Sequence, residues 1–352
     1  MAAPLNVAIL GYGFASKVFH APLIASVPGL RLAAIVSRDP AKVAADWPEI
    51  PVVATPEAVF ADPSIDLVVV PTPNPTHAPL ARAALEAGKH VVVDKPFTVT
   101  LAEARELHAA AERSGRVLSV FQNRRWDADF LTLRDVIAGG ELGRLVHFES
   151  HFDRYRPYLR NAWREEAAPG IGLWYDLGAH LADQALQLFG TPDSITLDLA
   201  AQRDGSRVCD WFHAILRYGT LRCVLHASTI TAQPAPRFTV HGTLGSFVKW
   251  GLDPQEDALK AGQRPAASDW GHDPLTAQLT TCPDATPRTR RLAGRAGDYP
   301  AYYAAVRDAI LGHAPNPVDA RQGIRVMGLL ELGVRSHAEG RTLPVLEADL
   351  AP

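Results

Sequence analysis

Three side chains stand where chemistry could be done. Lys95 follows the apolar run Val91-Val92-Val93 and Asp94, and it precedes Pro96. A lysine at the carboxyl end of a buried strand, in a turn that a proline holds rigid and that could be cis, can point at a bound substrate. The plainer reading is a surface lysine in a turn. Asp176 and His180 lie four residues apart in Trp174-Tyr175-Asp176-Leu177-Gly178-Ala179-His180. On a helix that spacing puts both on one face, close enough for a shared proton network. An imidazole oriented by a carboxylate is a general base, worth roughly 10²–10⁴ in rate. Here the plainer reading is an Asp176 that caps the helix N-terminus and a His180 bonded to a neighbour.

A second feature lies at the start of the chain. Leu5 and the run Val7 to Leu10 are apolar and break into Gly11-Tyr12-Gly13-Phe14-Ala15-Ser16. This is how a buried parallel strand enters a tight turn. Gly11 lets the chain turn, and Gly13 lets a pyrophosphate approach the backbone. Free N–H groups at the start of the next helix then bind the anion. Ser16 holds the third fingerprint position, where Gly or Ala is usual. At the end of the second strand, where an acid would bond the adenosine 2′-hydroxyl, stand Ser37 and Arg38. A hydroxyl and a guanidinium suit a 2′-phosphate, so NADP is expected over NAD. Asp39 could compete or repel.

The pattern around these residues supplies the elements that must position them. Strands are expected at 5–10, 32–36, 52–53, 66–70, 91–93 and 117–120, alternating with helices at 17–26, 41–46, 56–60, 80–87 and 101–114. This describes a doubly wound parallel sheet, whose ligands bind beyond the carboxyl ends of the strands. Gly11, Ser37, Pro71 and Lys95 sit at such ends. After Gln122-Asn123-Arg124-Arg125-Trp126-Asp127 the pattern changes to a helix at 130–137 and strands at 145–152, 194–201, 208–218, 221–230, 237–241 and 247–250, with one helix at 176–189 among them. Hairpin-length connections imply antiparallel pairing. The expected fold class is therefore α/β, with a dinucleotide-binding domain over 1–121 and an α+β domain with a large open, mainly antiparallel sheet over 122–352. Residues 252–298, rich in Pro, Gly and Asp, read as a long surface excursion or lid. Helices at 299–311 and 323–338 close the chain.

Composition narrows the function. The 352 residues carry a net charge of -3 and no basic footprint, so no nucleic-acid partner is expected. No apolar run approaches the roughly 18–20 residues of a membrane span, and the first residues lack a charged leader, so the expected location is the cytoplasm. Cys209, Cys223 and Cys282 form no Cys-x-x-Cys pair, and the 13 histidines show neither His-x-His nor His-Glu-x-x-His spacing. No metal is expected. Arg154-Tyr155-Arg156-Pro157-Tyr158, with Trp163 and Arg164 nearby, could line a polyol pocket or a subunit contact. Arg154, Tyr158, Trp163, Arg164 and Asn123 are the candidate substrate residues.

The Gly-Tyr-Gly turn, Asp94-Lys95-Pro96 and Tyr175-Asp176-Leu177-Gly178-Ala179-His180 occur in this order on a Rossmann domain followed by an open sheet. Along its whole length the chain resembles the Gfo/Idh/MocA family. It is most similar to NADP-dependent scyllo-inositol dehydrogenases through residues 122–127, 154–157 and 255–259. The resemblance implies that Lys95 bonds substrate and helps place the nicotinamide. His180, paired with Asp176, would take the hydroxyl proton. Gly11, Tyr12, Gly13, Phe14, Ala15, Ser37, Arg38, Pro71, Thr72, Asn74, His77, Asp94 and Lys95 would border the cofactor. The family usually has Glu where Asp94 stands. It also implies a homodimer or homotetramer paired through the outer face of the open sheet.

The leading expectation is an NADP-linked enzyme that interconverts a secondary alcohol and a ketone on a cyclic polyol or sugar. Alternatives are an aldose dehydrogenase or reductase of the same family, a non-catalytic NADP-sensing regulator, and an NAD-dependent glycosidase. A sensor would be free to lose Lys95, Asp176 and His180, and all three are present. A glycosidase would release no reduced cofactor.

Overall fold

In the computed structural model, which describes residues 3–159, 168–265 and 269–352, the chain forms two sheets. The first contains β1 (Leu5–Leu10), β2 (Leu30–Val36), β3 (Val52–Val53), β4 (Leu67–Val70), β5 (His90–Val93) and β6 (Leu118–Val120). All pairs are parallel, in the order β3-β2-β1-β4-β5-β6. β4 is buried throughout, as its unbroken apolar run requires of a strand covered on both faces. The strand order reverses between β1 and β4, and ligands of such sheets bind in the crevice at that point. The helix Leu101–Ser114 is fixed at its start by a capping box of Thr100 and Glu103.

The second sheet contains β7 (Leu145–His151), β8 (Ser194–Ala200), β9 (Trp211–Tyr218), β10 (Leu221–Ser228), β11 (Phe238–Gly242), β12 (Gly245–Lys249), β13 (Ala277–Thr281), β14 (Arg288–Leu292) and β15 (Leu343–Pro344). Its order is β14-β13-β12-β11-β7-β10-β9-β8-β15. Pairing is antiparallel except between β7 and β10. One face is apolar and buried, with Phe148, Phe212, Leu216, Leu225 and Phe238. The helices Ala179–Phe189 and Ala320–Glu339 pack on this sheet.

Three expectations change. Residues 252–298, expected as a long surface excursion or lid, contain the helix Gln255–Lys260 and extend the second sheet with the strands β13 and β14. Their polar residues are used internally. Asp253 Oδ2 accepts from Ala128 N at 2.7 Å, and Lys249 pairs with buried Asp273 at 2.8 Å. β14, Arg-Thr-Arg-Arg-Leu, is a charged edge strand, a composition that blunts edge pairing and hides a strand from pattern reading. The helix expected at 17–26 begins with a π-helical turn, Ser16–His20. Asp176 likewise sits inside a π-helical turn, Trp174–Gly178, and not at a helix N-cap, because the helical run starts upstream and Asp176 N already donates to Gly172 O at 3.0 Å. Such turns concentrate at functional sites.

The last part of the chain returns to the first sheet. Val120 N donates to Val318 O at 2.9 Å, and Ser119 bridges Asp319. Tyr299, Tyr302 and Tyr303, at the start of the helix Pro300–Ile310, are fully buried, and Tyr302 OH donates to Ser119 Oγ at 2.9 Å. Among the described residues no helix is long and apolar enough to cross a membrane.

The π turn before His180 is tightly packed. Trp174 is fully buried, and its indole N–H donates to Leu330 O at 3.0 Å. A Cβ on Gly178 would stand 2.3 Å from Trp174 Cε3. Gly178→Ala should therefore cost about 1–3 kcal/mol by overpacking, read as a lower midpoint of thermal or urea unfolding. An unchanged midpoint would contradict this packing.

Candidate active site

Lys95 ends the turn after β5 and reaches across to the second sheet's helical turn. Its Nζ donates to Asp176 Oδ1 at 2.6 Å and to Asp176 O at 2.9 Å. The Lys95–Pro96 peptide is cis. Asp94 Oδ1 accepts from Lys95 N at 2.7 Å, and its other oxygen lies 3.5 Å from His20 Nε2. Burial alone would raise the Asp94 carboxyl, but the His20 contact and the Lys95 charge outweigh it and hold it low. The shorter side chain is thus accommodated against buried His20, whose Nδ1 lies 2.6 Å from Tyr303 OH.

His180 lies in the first turn of the helix Ala179–Phe189, is 3% exposed and, unlike Lys95 and Asp176, is not part of the cleft wall. The structure differs here from the expected carboxylate–imidazole bond. His180 Nδ1 is held at 3.2 Å by Gln122 Oε1, two residues beyond β6. With a carbonyl oxygen as partner, Nδ1 carries the proton and Nε2 keeps its lone pair. Asp176 is drawn instead to the Lys95 ammonium, a stronger partner than a neutral ring. Burial, reinforced by the charges of Lys95 and Arg124, holds His180 well below the usual imidazole range. The ring is therefore neutral at physiological pH.

The pair opens onto a cleft of about 200 Å³, with Asn74, Arg154, Arg203, Asp210 and Thr229 also in its wall. Asn74 Nδ2 donates to Gly170 O at 3.0 Å, tying the loop after β4 to the second domain. The Arg154 guanidinium stacks 4.8 Å from the Phe152 ring. Asn123 is buried in the turn Asn123–Trp126 and does not line the cleft, and Tyr158, 84% exposed, is not in its wall, although its carbonyl accepts from the cleft residue Arg203 at 3.4 Å. Trp163 and Arg164 lie outside the described residues. Sequence reasoning missed Gln122, whose only signal was the polar run that breaks the strand pattern. It also missed Arg203 and Asp210, paired at 2.9 Å from a polar stretch with no motif.

The residues of the glycine turn fit a dinucleotide. Gly11 has φ +91°, a left-handed conformation that favours glycine. A Cβ on Gly13 would meet open space, so the backbone there can be closely approached. Ser16 is fully buried, and its hydroxyl donates to Gly11 O at 2.8 Å, which satisfies the polar atom at a position that otherwise needs a small residue. Tyr12 is buried and donates to Asp46 at 2.9 Å, while Phe14 is exposed. Pro71 follows β4. Thr72 lies across Gly11, its Cγ2 3.7 Å from where a Gly11 Cβ would stand. His77 is locked between Thr72 O at 2.8 Å and Pro96 O at 2.9 Å. Arg38 is exposed beyond β2, with Ser37 beside it. Asp39 caps the helix Pro40–Ala44, its Oδ1 accepting from Lys42 N at 3.1 Å.

Known proteins share this chain's sequence and fold. The family model for the NAD-binding Rossmann fold of an oxidoreductase family matches residues 5–122, and that for the family's C-terminal alpha/beta domain matches residues 134–345. YdgJ of Escherichia coli (strain K12), an uncharacterized oxidoreductase, is 56% identical over 97% of this chain and 99% of its own. IolW of Bacillus subtilis (strain 168), an NADP(+) scyllo-inositol 2-dehydrogenase, is 39% identical over 96% of this chain and 95% of its own. The solved structure of YPO2259 from Yersinia pestis matches with a TM-score of 0.95 at 55% identity, covering 98% of both chains. On fold, sequence and domain order together, the chain belongs to the Gfo/Idh/MocA family of oxidoreductases.

Proposed function

We propose that this chain is an NADP(H)-dependent dehydrogenase that interconverts a secondary alcohol and a ketone on a cyclic polyol, with scyllo-inositol and scyllo-inosose as the favoured pair. The observation that carries the reading is the Lys95–Asp176 pair at the cleft, 2.6 Å apart, with a neutral His180 four residues further along the same helical run. The 39% identity to IolW supports the substrate class. A B. subtilis relative that is 28% identical over about half of this chain is named as an NAD(+)-dependent scyllo-inositol 2-dehydrogenase, so the cofactor preference rests on this chain's own residues. Exposed Arg38 offers a guanidinium where a 2′-phosphate would lie. Asp39 Oδ1 caps the following helix through Lys42 N at 3.1 Å, which fixes the carboxylate's position without removing its charge.

The roles follow from charge and geometry. When bound, the nicotinamide supplies the hydride acceptor. Lys95 donates a hydrogen bond to the reacting hydroxyl and stabilises the negative charge that grows on its oxygen. Asp176 holds the ammonium at that position. His180, kept in the Nδ1–H form by Gln122, accepts the hydroxyl proton at Nε2. Gly11 to Ala15 hold the pyrophosphate, and Pro71, Thr72, Asn74, His77 and Asp94 shape the nicotinamide side. Arg154 bonds hydroxyls remote from the reacting carbon.

Cofactor reduction measured with scyllo-inositol, myo-inositol and glucose, each with NADP and NAD, tests the assignment. NADP reduction by scyllo-inositol is expected to exceed the rest. Arg38→Ala should raise KM for NADP about 10- to 100-fold, the loss of one charge-assisted bond, and leave NAD kinetics unchanged. No reduction with any pair would overturn the reading. Lys95→Ala should lower kcat about 10²- to 10⁴-fold while NADPH still binds, and near wild-type turnover would remove Lys95 from the chemistry. The pH profile checks His180. Oxidation needs the neutral ring, and the depressed pKa keeps it neutral below the ordinary value of about 6.5. Hence kcat/KM for oxidation should show no acid limb near that pH and should fall only well below it. A limb at or above about 6.5 would contradict the assignment.

A further inference from the structure

The face of the second sheet turned away from its apolar core carries a cluster that the proposed reaction does not use. Strand alternation puts His147, Glu149 and His151 of β7 on that face, while Phe148 and Ser150 are buried on the other. β10 runs parallel beside β7, with His226 opposite His151. The chain stays extended past β7: Phe152 N donates to His226 O at 2.9 Å and Arg154 N to Ser228 O at 2.8 Å. Asp153 therefore falls on the same face as His151, and Arg154 lies on the cleft side.

His151, Asp153 and His226 each offer a ligand atom, and these atoms lie within 4.8 Å of one another. His151 Nδ1 is 3.6 Å from Asp153 Oδ2, and His226 Nε2 is 3.6 Å from Asp153 Oδ1. The Asp153 side chain is only 3% exposed. Its Oδ2 accepts from Ala235 N at 3.3 Å, but among the described residues its buried Oδ1 has no hydrogen-bond partner, and neither has His151 Nδ1. Buried polar atoms left this way cost about 1–3 kcal/mol each.

We infer that His151, Asp153 and His226 form a binding site for a divalent transition-metal ion of the zinc class. Two imidazoles and one carboxylate are donors that zinc prefers over magnesium or calcium. Tetrahedral zinc with bonds of about 2.0–2.1 Å sets its donors about 3.3–3.4 Å apart. The 3.6 Å contacts run to the two different oxygens of Asp153, and the three ligand atoms span up to 4.8 Å, so side-chain rotation must draw the two rings toward one carboxylate oxygen when the ion binds. Water, or a group from a second subunit seated on this face, would complete the coordination. The ion would tie β7 to β10 behind the cleft wall. Linear spacing does not reveal the site, because the ligands come from two strands that only the parallel register aligns.

The test is calorimetric titration of untagged, chelator-stripped protein with zinc chloride, with cobalt absorption as a second readout. Wild type should bind one ion per chain with a dissociation constant below about 10 μM, and cobalt should give the intense visible bands of a tetrahedral site. Asp153→Asn and His226→Ala should each weaken zinc binding at least about tenfold, since even outer-shell partners contribute 10–100-fold. His213→Ala, whose ring lies 5.6 Å from that of His226, should leave it unchanged. Absence of saturable binding by wild type would overturn the inference. So would unchanged binding in Asp153→Asn and His226→Ala, or loss confined to His213→Ala.

Discussion

The structure depends on where one ammonium group is allowed to sit. Lys95 is 16% exposed at its side chain, and an ammonium withdrawn from water that far needs a partner. The partner is Asp176, which belongs to the other sheet's helical turn. The contact is thus both an ion pair and a junction. Asp176 is 33% exposed, so the pair is only partly buried, and removing one member leaves the other charge partly uncompensated. The turn after β5 and the turn Trp174–Gly178 are therefore held in register by the same atoms that face the cleft.

A second layer supports that junction. Arg125 makes a two-point contact with Asp183, at 2.6 and 2.8 Å, one turn along the helix from His180. Arg124 bonds Glu256 at 2.7 Å and lies 3.4 Å from Asp127. The positive charges of Lys95 and Arg124 act with burial to keep His180 neutral. The same groups that fix the geometry therefore set the protonation state, and the ring's tautomer is set by Gln122, two residues beyond β6. Each element of the first sheet that ends at the crevice contributes a chemically distinct part.

Much of this was legible in the residues. The first sheet was readable because a strand buried on both faces must be an unbroken apolar run, as in Leu67–Val70 and His90–Val93, and because Gly11 and Gly115 mark turns that other residues resist. Lys95 and Asp176 were readable as candidates, but not as partners. Spacing along a helix suggested Asp176 with His180, and nothing local announces that an ammonium some eighty residues away competes for the carboxylate. β14 was hidden because an edge strand tolerates charge on its open side. Gln122 was hidden because an amide that orients a ring has no sequence signature of its own. The histidine cluster on the second sheet was hidden by topology, since β7 and β10 are far apart in sequence and adjacent in space.

The central claim is that Lys95 and Asp176 act as one unit on the reacting hydroxyl. The most direct measurement is a double-mutant cycle on kcat/KM with Lys95→Ala, Asp176→Asn and the combined variant. If the pair is a unit, the combined variant loses little more than the worse single variant, with an interaction energy above about 1 kcal/mol. Additive losses would mean that the two residues work independently, and would contradict the account.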